Sequence, residues 1–350
     1  MANIESQYFR DISLEDEFFN SLKADYKEFE DWFKKKAIEE KPAFVLYENN
    51  TLMAFLYLKI ENDVDESITP KLTRKRRLKV GTFKIDAHGT KLGERFIKKI
   101  FDIAIFKKVD EIYVTIFEKH KGLLNLLETF GFYRNATKTT HNGIELVLVK
   151  NIYNVKNDIL KDYPIVQTED KNKFVLSIHP KFHTKLFSDS ILNNESVEIL
   201  KDTSYTNSIH KIYICAMQGV QNFNKGDSVL IYRTNDGQGS ARYRSVVTSV
   251  CIIEEVLNIN NFSIVEEFLK YCEPYSIFTE SELRDFYRTK KYPFIIKMTY
   301  NIAFKKRVTN GQLKDGFGIS PDYWGVFEVT NEQFNKIIKA GDVDESIIIN

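Results

Sequence analysis

This 350-residue chain has almost no excess of charge of either sign. Lysine and arginine together number 50, and aspartate and glutamate number 49, so the formal net charge at pH 7 is +1. A molecule without net charge does not attract polyanions through a diffuse basic surface. Any contact with nucleic acid must therefore come from a local patch of basic side chains.

Cysteine is also scarce. The three that occur, Cys215, Cys251 and Cys272, are widely spaced, odd in number and set in apolar or helical surroundings. This pattern argues against a disulfide framework and against a zinc site, and no cluster of Cys, His and carboxylates in the sequence has metal-ligand spacing. We therefore expect a reducing compartment and no metal site.

Long apolar runs are missing too. No stretch of the sequence approaches membrane-spanning length, and charges occur throughout the first twenty residues, so we expect a cytoplasmic protein without a membrane partner. An apolar content of 43% is enough for packed cores, and 350 residues exceed the usual size of a single core. We expect a first domain over residues 1–150, a linker over residues 151–162 and a second domain over residues 163–350.

Residues 78–132 are the stretch around which the chain is organised. A strand-like apolar run over residues 78–85 leads through a turn over residues 86–93 into a helical pattern, and a second strand over residues 111–116 and a second short helix follow. Where a strand and a turn open directly into a helix, unpaired backbone N–H groups and the helix dipole point at one place. That arrangement predicts a site for an anion.

The order and spacing of these elements resemble the acetyl-coenzyme A core of the GNAT family of N-acetyltransferases. In that family a turn of the form Arg/Gln-x-x-Gly-x-Gly/Ala wraps the coenzyme pyrophosphate; here His88 stands at the Arg/Gln position and Lys91 at the first glycine. The alternative is that Gly89 and Gly93 serve only turn formation and close helix packing. The resemblance implies acetyl-CoA as cosubstrate, held by the backbone of the central strand and by the turn, at Val80, Thr82, Phe83, His88, Gly89, Thr90, Lys91, Leu92, Gly93 and Glu94.

The resemblance leaves the catalytic groups open. The later family pattern, Asn-x-x-Ala-x-x-Leu-Tyr followed by Gly-Phe, puts His120 at the Asn position and Leu127 at the position of the usual catalytic Tyr. Histidine side chains titrate near neutral pH, so His120 is the first candidate for the base and Glu118 the second, with a structural role as the alternative for both. Tyr113 is a further candidate, as donor of a proton to the thiolate.

The rest of the first half is predicted to complete a mixed sheet flanked by helices. An aromatic stripe in the predicted helix over residues 15–36 favours packing in the core; the alternative is that part of it walls the acceptor pocket. Asn142-Gly143 between alternating runs is a strong hairpin signal. The further predicted strands cover residues 7–12, 43–47, 52–60, 132–139 and 144–149.

Six of the nine residues from Lys71 to Lys79 are basic. Such a run is most often a solvated loop. Because it directly precedes the central strand, the alternative is contact with coenzyme phosphates or with an RNA backbone.

The second half is richer in short strands. Thr279 with Glu282 and Thr330 with Gln333 fit capping boxes at the start of two helices. Several short strands with long connections predict a small mixed barrel with helices. Together with the mixed sheet of the first half, this predicts an α/β (α+β) fold class for the whole chain. This half resembles, more loosely, the PUA-like superfamily that includes ASCH and EVE domains. The residues that carry the resemblance are 174–180, 225–233 and 245–256.

PUA-like domains typically bind RNA or modified nucleotides, and one stretch here suits such a role. In an extended segment Arg242 and Arg244 would share one face, where guanidinium groups can bind phosphate and Tyr243 can stack on a base. Arg233 would complete this patch for RNA or another nucleic acid; the alternative is a solvated hairpin with basic side chains. For His179 and His183, capping or packing is favoured over catalysis.

Two functional classes follow from these interpretations. The first is an N-acetyltransferase that moves the acetyl group of acetyl-CoA to an amine, with the second domain recruiting a nucleic-acid-linked acceptor such as a tRNA. The second is a non-enzymatic regulator in which an acyl-CoA pocket biases binding by the PUA-like domain. The missing Tyr favours the second class, and the intact turn-to-helix unit with Glu118 and His120 favours the first.

Overall fold

The computed structural model describes residues 4–86, 91–187 and 208–349. The chain divides into two compact units, Met1–Asp162 and Tyr163–Asn350. Residues 151–162, expected to be a linker, fall within the first unit, where Lys150 Nζ donates a hydrogen bond to the Lys161 carbonyl. Within the described ranges, no helix combines the length and the apolar character that a membrane span requires.

The first unit is built on an eight-stranded mixed sheet flanked by helices. Its strands are β1 (Glu5–Tyr8), β2 (Pro42–Glu48), β3 (Thr51–Glu61), β4 (Ile68–Thr69), β5 (Arg77–Ile85), β6 (Glu111–Ile116), β7 (Tyr133–Thr140) and β8 (Gly143–Asn151). Its helices are α1 (Asn20–Asp25), α2 (Phe29–Ile38), α3 (Leu92–Phe106) and α4 (Lys121–Thr129). The order across the sheet is β1-β2-β3-β5-β6-β8-β7-β4, with β5 and β6 parallel and the other described neighbours antiparallel.

Side-chain alternation in the strands sends two apolar sets to opposite faces of this sheet. On one face, the predicted apolar stripe of α3 is buried, and the ring of Phe96 packs 5.9 Å from that of Phe83 on β5. On the other face, the aromatic stripe of the first helices forms a core in which Phe9 and Phe33 stack edge-on at 4.8 Å. The core interpretation of the aromatic stripe is therefore confirmed.

The predicted helix over residues 15–36 is wrong in its continuity. A 3₁₀ turn precedes α1, and the chain leaves the helix at Tyr26, whose backbone is extended (φ −129°, ψ 104°), before α2 begins at Phe29. The first predicted strand is similarly replaced by a 3₁₀ turn from Phe9 onward. Helical periodicity runs through the break at Tyr26 because the aromatic residues on both sides are buried in the same core.

The described residues of the second unit form a six-stranded sheet in the order β11-β14-β13-β12-β10-β15 and a two-stranded sheet of β9 and β16. These strands are β9 (Val166–Gln167), β10 (Lys173–Ile178), β11 (His210–Cys215), β12 (Ser228–Arg233), β13 (Val246–Asn258), β14 (Phe294–Thr309), β15 (Val326–Glu328) and β16 (Ile348–Ile349). The helices are α5 (Pro180–Leu186), α6 (Ala241–Arg244), α7 (Val265–Cys272), α8 (Glu280–Thr289) and α9 (Asn331–Ala340), and residues 312–316 form a π-helical turn.

The α+β class is confirmed, but the barrel predicted for the second half is not closed in the described part of the chain. The long strands β13 and β14 pair along their length with three register shifts, and β11 and β15 end the sheet on opposite sides. Both predicted capping boxes are present, because the Thr279 and Thr330 hydroxyls each accept a backbone N–H three residues on. The sequence did not predict α7, whose apolar side covers Ile212 and Ile295.

Candidate functional site

The parallel pair at the centre of the first sheet separates part-way along its length. Strands β5 and β6 are in register from Arg77 opposite Glu111 to Val80 opposite Val114, and the pairing stops there. Strand β5 nevertheless continues to Ile85, paired with β3, and β6 continues to Ile116, paired with β8. Beyond Val80 the two strands therefore leave a gap at their carboxyl ends, the side at which open α/β sheets bind ligands.

A β-bulge at Gly81 marks the place where β5 leaves β6. In the pairing with β3, Tyr57 lies opposite Thr82 and Leu58 opposite Val80, so Gly81 is the extra residue of β5. A Cβ on Gly81 would lie 2.8 Å from Cδ1 of Tyr57, so glycine is required for this close approach. Bulges bend the strand that carries them, and here the bend accompanies the end of the β5–β6 pairing.

Three residues predicted to contact the coenzyme, Val80, Thr82 and Phe83, lie at this gap, and mainly their backbone groups are available to a ligand. Val80 is buried at the last paired position, and the ring of Phe83 packs into the core with α3. Thr82 is half-buried on the opposite face, opposite Tyr57. From Gly81 onward the edge of β5 that faces away from β3 has no strand partner in the described residues, so its N–H and C=O groups can bind an extended ligand.

The predicted pyrophosphate turn is described only at its end. His88, Gly89 and Thr90 lie outside the described residues, whereas Lys91, Leu92, Gly93 and Glu94 form the N-terminus of α3. Leu92 is buried. This 15-residue helix begins seven positions after the end of β5, and the anion site that the sequence predicts at its first turn stays a prediction.

Gly93 on α3 packs against α4. A Cβ at this position would lie 2.8 Å from Cδ2 of Leu126 on α4. This contact supports close helix packing, which the sequence left as the alternative role of Gly93. A side chain at this position would contact α4, so only the backbone of Gly93 could contact a pyrophosphate.

His120, the first candidate base, lies beyond the end of β6 at the N-cap of α4. Its Nε2 is 2.8 Å from Oδ2 of Asp25, the last residue of α1, and the other oxygen of Asp25 accepts a hydrogen bond from Lys119. The Asp25 carboxylate is 8% exposed and the His120 ring 41% exposed. A buried carboxylate therefore holds a ring that is open to ligands, and sequence reasoning missed Asp25 because 95 positions separate it from His120.

The loop that follows Asp25 is bound to the β7–β8 hairpin and to the end of β6. The Tyr26 hydroxyl donates to the buried Glu145 carboxylate at 2.7 Å, and the Tyr26 ring lies 5.3 Å from that of Phe117. Burial, and next the Glu145 carboxylate, raise the pKa of Tyr26, so this phenol keeps its proton. The contacts of Tyr26 hold the preceding residue, Asp25, beside His120, whereas Glu28 accepts from Asn142 at 2.8 Å on the hairpin.

Glu118, the second candidate base, is exposed and lies between two cations. Its carboxylate is 3.4 Å from Lys121 Nζ and 3.3 Å from Arg134 Nη1. The charge of Lys121, and then that of Arg134, lower the pKa of Glu118. A carboxylate with a lowered pKa accepts a proton less readily, so the arrangement favours His120 as base.

Tyr113, the candidate proton donor, is buried in β6. Its hydroxyl donates to Glu61, and its ring lies 5.1 Å from Lys79 Nζ. Burial raises the pKa of Tyr113, and the hydrogen bond to Glu61 raises it further. A phenol of this kind does not readily protonate a thiolate, whose conjugate acid titrates near pH 8.5. Burial and the hydrogen bond to Glu61 therefore disfavour the donor role.

The basic run over residues 71–79, which ends in the first residues of β5, is paired with nearby acidic groups and backbone carbonyls. Glu111 accepts from Lys75 at 2.8 Å and from Arg77, and Lys79 lies 3.6 Å from Glu61. Arg76 donates to the backbone carbonyl of Lys107 after α3. These contacts attach the loop to the sheet and to α3, which favours a structural role over binding of phosphates.

The four residues predicted to bind nucleic acid do not form the expected surface. Arg242 and Arg244 lie in α6 and not in an extended segment, and the strand β13 begins only at Val246. Arg233 is 2% exposed, whereas Tyr243 is 70% exposed. Because α6 is a single helical turn, the shared face expected from strand alternation is wrong.

The arginines of this stretch also have acidic partners. Arg244 binds Asp236 through two hydrogen bonds, and Asp315 accepts two from Arg242. A shallow cavity of about 340 Å³ lies at Arg242, Tyr243, Gly311, Asp315 and Phe317. The role of these residues in binding nucleic acid stays a prediction, with less free positive charge than the sequence suggests.

The two histidines of the second unit assigned to capping or packing have those roles. Nδ1 of His179 accepts the Lys181 amide at the start of α5. His183 is fully buried, with Nε2 2.8 Å from the Thr248 hydroxyl, and burial lowers its pKa to about 3. The cysteines are buried and unlinked, and no group of three metal-ligating side chains occurs within the described ranges.

Comparisons with known proteins give likenesses at the level of solved structures. No family model matches the chain, and no curated protein does. ASCH from Zymomonas mobilis is 12% identical, with 49% of this chain and 96% of that chain covered and a TM-score of 0.32. A GNAT family acetyltransferase from Streptococcus agalactiae is 12% identical, with 44% and 96% covered and a TM-score of 0.32. An N-acetyltransferase from Staphylococcus aureus Mu50 is 15% identical, with 43% and 98% covered and a TM-score of 0.33.

Proposed function

We propose that the first unit binds acetyl-CoA in the gap between β5 and β6 and transfers the acetyl group to an amine. The observation that carries this proposal is the end of the parallel pairing at Val80 and Val114, beside the start of α3. The pantetheine arm of coenzyme A is an extended chain with two amides, which the free edge of β5 can pair like an added strand. The first turn of α3 suits the pyrophosphate.

In this reaction the neutral amine attacks the thioester carbonyl carbon, the carbon–sulfur bond breaks and a thiolate leaves. Backbone N–H groups on the free edge of β5 stabilise the oxyanion that develops on the carbonyl oxygen. His120 takes the proton that the ammonium form of the acceptor must lose before it can attack. The gap holds the two reactants together, which removes much of the entropic cost of their meeting.

Hydrogen exchange with bound ligands tests the site. Acetyl-CoA should slow exchange at residues 80–85 and 117–121, whereas 3′,5′-ADP, which lacks the pantetheine arm, should slow exchange only at the start of α3. Residues 208–349 are the internal control and should not change. Protection confined to the second unit, or equal protection of residues 80–85 by both ligands, would contradict the proposed site. Thiol release with a panel of amines then tests transfer.

A second candidate function is binding of acyl-CoA without transfer. Leu127, which stands at the position of the usual catalytic Tyr, is fully buried on α4, and the phenol of Tyr113 is bound to Glu61. These contacts favour a protein that senses acyl-CoA and acts through its second unit. Tight binding of acetyl-CoA without thiol release above the uncatalysed rate, for every amine tested, would support this alternative.

A further inference from the structure

A carboxylate on α1 determines which nitrogen of His120 can act as a base. Oδ2 of Asp25 lies 2.8 Å from Nε2 of the ring, and an ionised carboxylate can only accept hydrogen bonds. Neutral His120 must therefore carry its proton on Nε2 and its lone pair on Nδ1. Among the described residues Nδ1 makes no hydrogen bond, and the ring is 41% exposed, so Nδ1 is open to a substrate.

The other ionisable groups around this pair already have partners of their own. Lys119 Nζ donates to Oδ1 of Asp25, which leaves Oδ2 for the ring. On the same loop Tyr26 is bound to Glu145, and Glu28 to His141 at 3.1 Å. On the His120 side, Glu118 is paired with Lys121 and Arg134. Asp25 is thus the carboxylate that directly contacts the candidate base.

We propose that Asp25 is the positioning residue for His120 in acetyl transfer, an inference that rests on the proposed function. Asp25 holds the ring in the Nε2–H tautomer, and Nδ1 takes one proton from the acceptor's ammonium group. The imidazolium that results is stabilised by the Asp25 carboxylate and later returns its proton to water. The freed amine attacks the thioester, and the second nitrogen proton passes to the leaving thiolate, so that the products are amide, free thiol and one released proton.

This arrangement also bears on the class of acceptor. A base that removes a proton before attack is needed for amines that are protonated at neutral pH, such as primary alkyl amines, and is not needed for weakly basic aryl amines. We therefore expect Asp25→Asn to slow transfer to an alkyl amine more than transfer to an aryl amine.

The first test reads the tautomer and does not depend on activity. Protein labelled with ¹⁵N at histidine should show the chemical shifts of an Nε2–H tautomer for His120 at high pH, assigned with His120→Gln. In Asp25→Asn the amide group can donate to Nε2, so the population should shift toward Nδ1–H. An identical tautomer in wild type and variant would overturn the inference.

The second test is kinetic and uses a matched control. Asp25→Asn should lower kcat for an alkyl amine about 100-fold and change KM less than threefold, with partial recovery in Asp25→Glu. The control, Glu28→Gln, alters a carboxylate of the same loop that pairs with His141, and should leave kcat unchanged. Equal melting temperatures of the variants exclude loss of fold.

The outcomes separate the two proposals. An active wild type with an equally active Asp25→Asn variant refutes the role of Asp25 and leaves the acetyltransferase proposal standing. A wild type that transfers to no amine refutes the proposed function and, with it, the role of Asp25. A loss of kcat in Glu28→Gln as large as that in Asp25→Asn would show a general effect of the loop and would also refute the positioning role.

Discussion

Lys150 provides a quantitative test of the first unit, because its ammonium group is buried where the chain leaves β8. The side chain is 2% exposed, donates to the Lys161 carbonyl and lies 5.6 Å from the ring of Phe101. Burial lowers its pKa to about 8 from the ordinary 10.5, against a smaller opposing effect of Asp162. The folded state therefore releases this proton at a lower pH than the unfolded state.

The sign and size of the effect follow from this difference. Between pH 8 and pH 10.5 the unfolded chain binds more protons at Lys150 than the folded one, so the free energy of unfolding rises with pH. From pH 7 to pH 9.5 the rise due to this residue is about 2 kcal/mol. Lys150→Met removes the titrating group, and the stability difference between wild type and variant should change by that amount.

The two tryptophans allow the measurement in the full chain. Trp32 packs against Phe9 and Tyr57 in the first unit, and Trp324 belongs to the second. In a Trp324→Phe background, urea unfolding followed by tryptophan fluorescence reports the first unit alone. Other lysines with lowered pKa values, such as Lys79, are present in both proteins and cancel. A difference that is flat or falls between pH 7 and pH 9.5 would refute the reasoning.

Two further predictions concern the packing of α3 and the second unit. Alanine is favoured over glycine in a helix by about 0.5–1 kcal/mol, so Gly122→Ala, where nothing lies within 4 Å of an added Cβ, should raise the free energy of unfolding of the first unit by about that amount. Gly93→Ala should gain less than Gly122→Ala, because its methyl group would lie 2.8 Å from Cδ2 of Leu126, and Leu126→Ala should narrow the difference between the two positions. Thermal melting of these proteins is the measurement, and an equal gain at both positions would contradict the packing role of Gly93. If the second unit binds RNA, Tyr243→Ala should weaken binding, because the exposed ring is lost. Arg242→Ala should change the slope of log affinity against log salt by less than about one unit, because an acidic partner already holds that guanidinium. Fluorescence anisotropy at several salt concentrations measures both effects, and a change of slope near two units would contradict the second expectation.

The sequence by itself determined most of the strands and helices of both units, but not β4, the break between α1 and α2, or α7. The strand over Glu111–Ile116, the buried face of α3 and the hairpin at Asn142-Gly143 all follow from local periodicity and turn chemistry. Burial repeats every second residue in a strand and every three to four in a helix, so these elements show in the order of apolar and polar residues. The α+β class follows from the same patterns.

Tertiary structure alone decided which of these residues meet. At the break between α1 and α2 the Tyr26 hydroxyl is bound to a carboxylate of β8, and the gap between β5 and β6 depends on a register that ends at Val80. The pairing of Asp25 with His120 spans 95 positions, and the arginines of the second unit are matched by Asp236 and Asp315. A polar contact between distant parts of the chain leaves no periodic trace in the sequence, because it needs only two side chains that the folded backbone brings within hydrogen-bond distance.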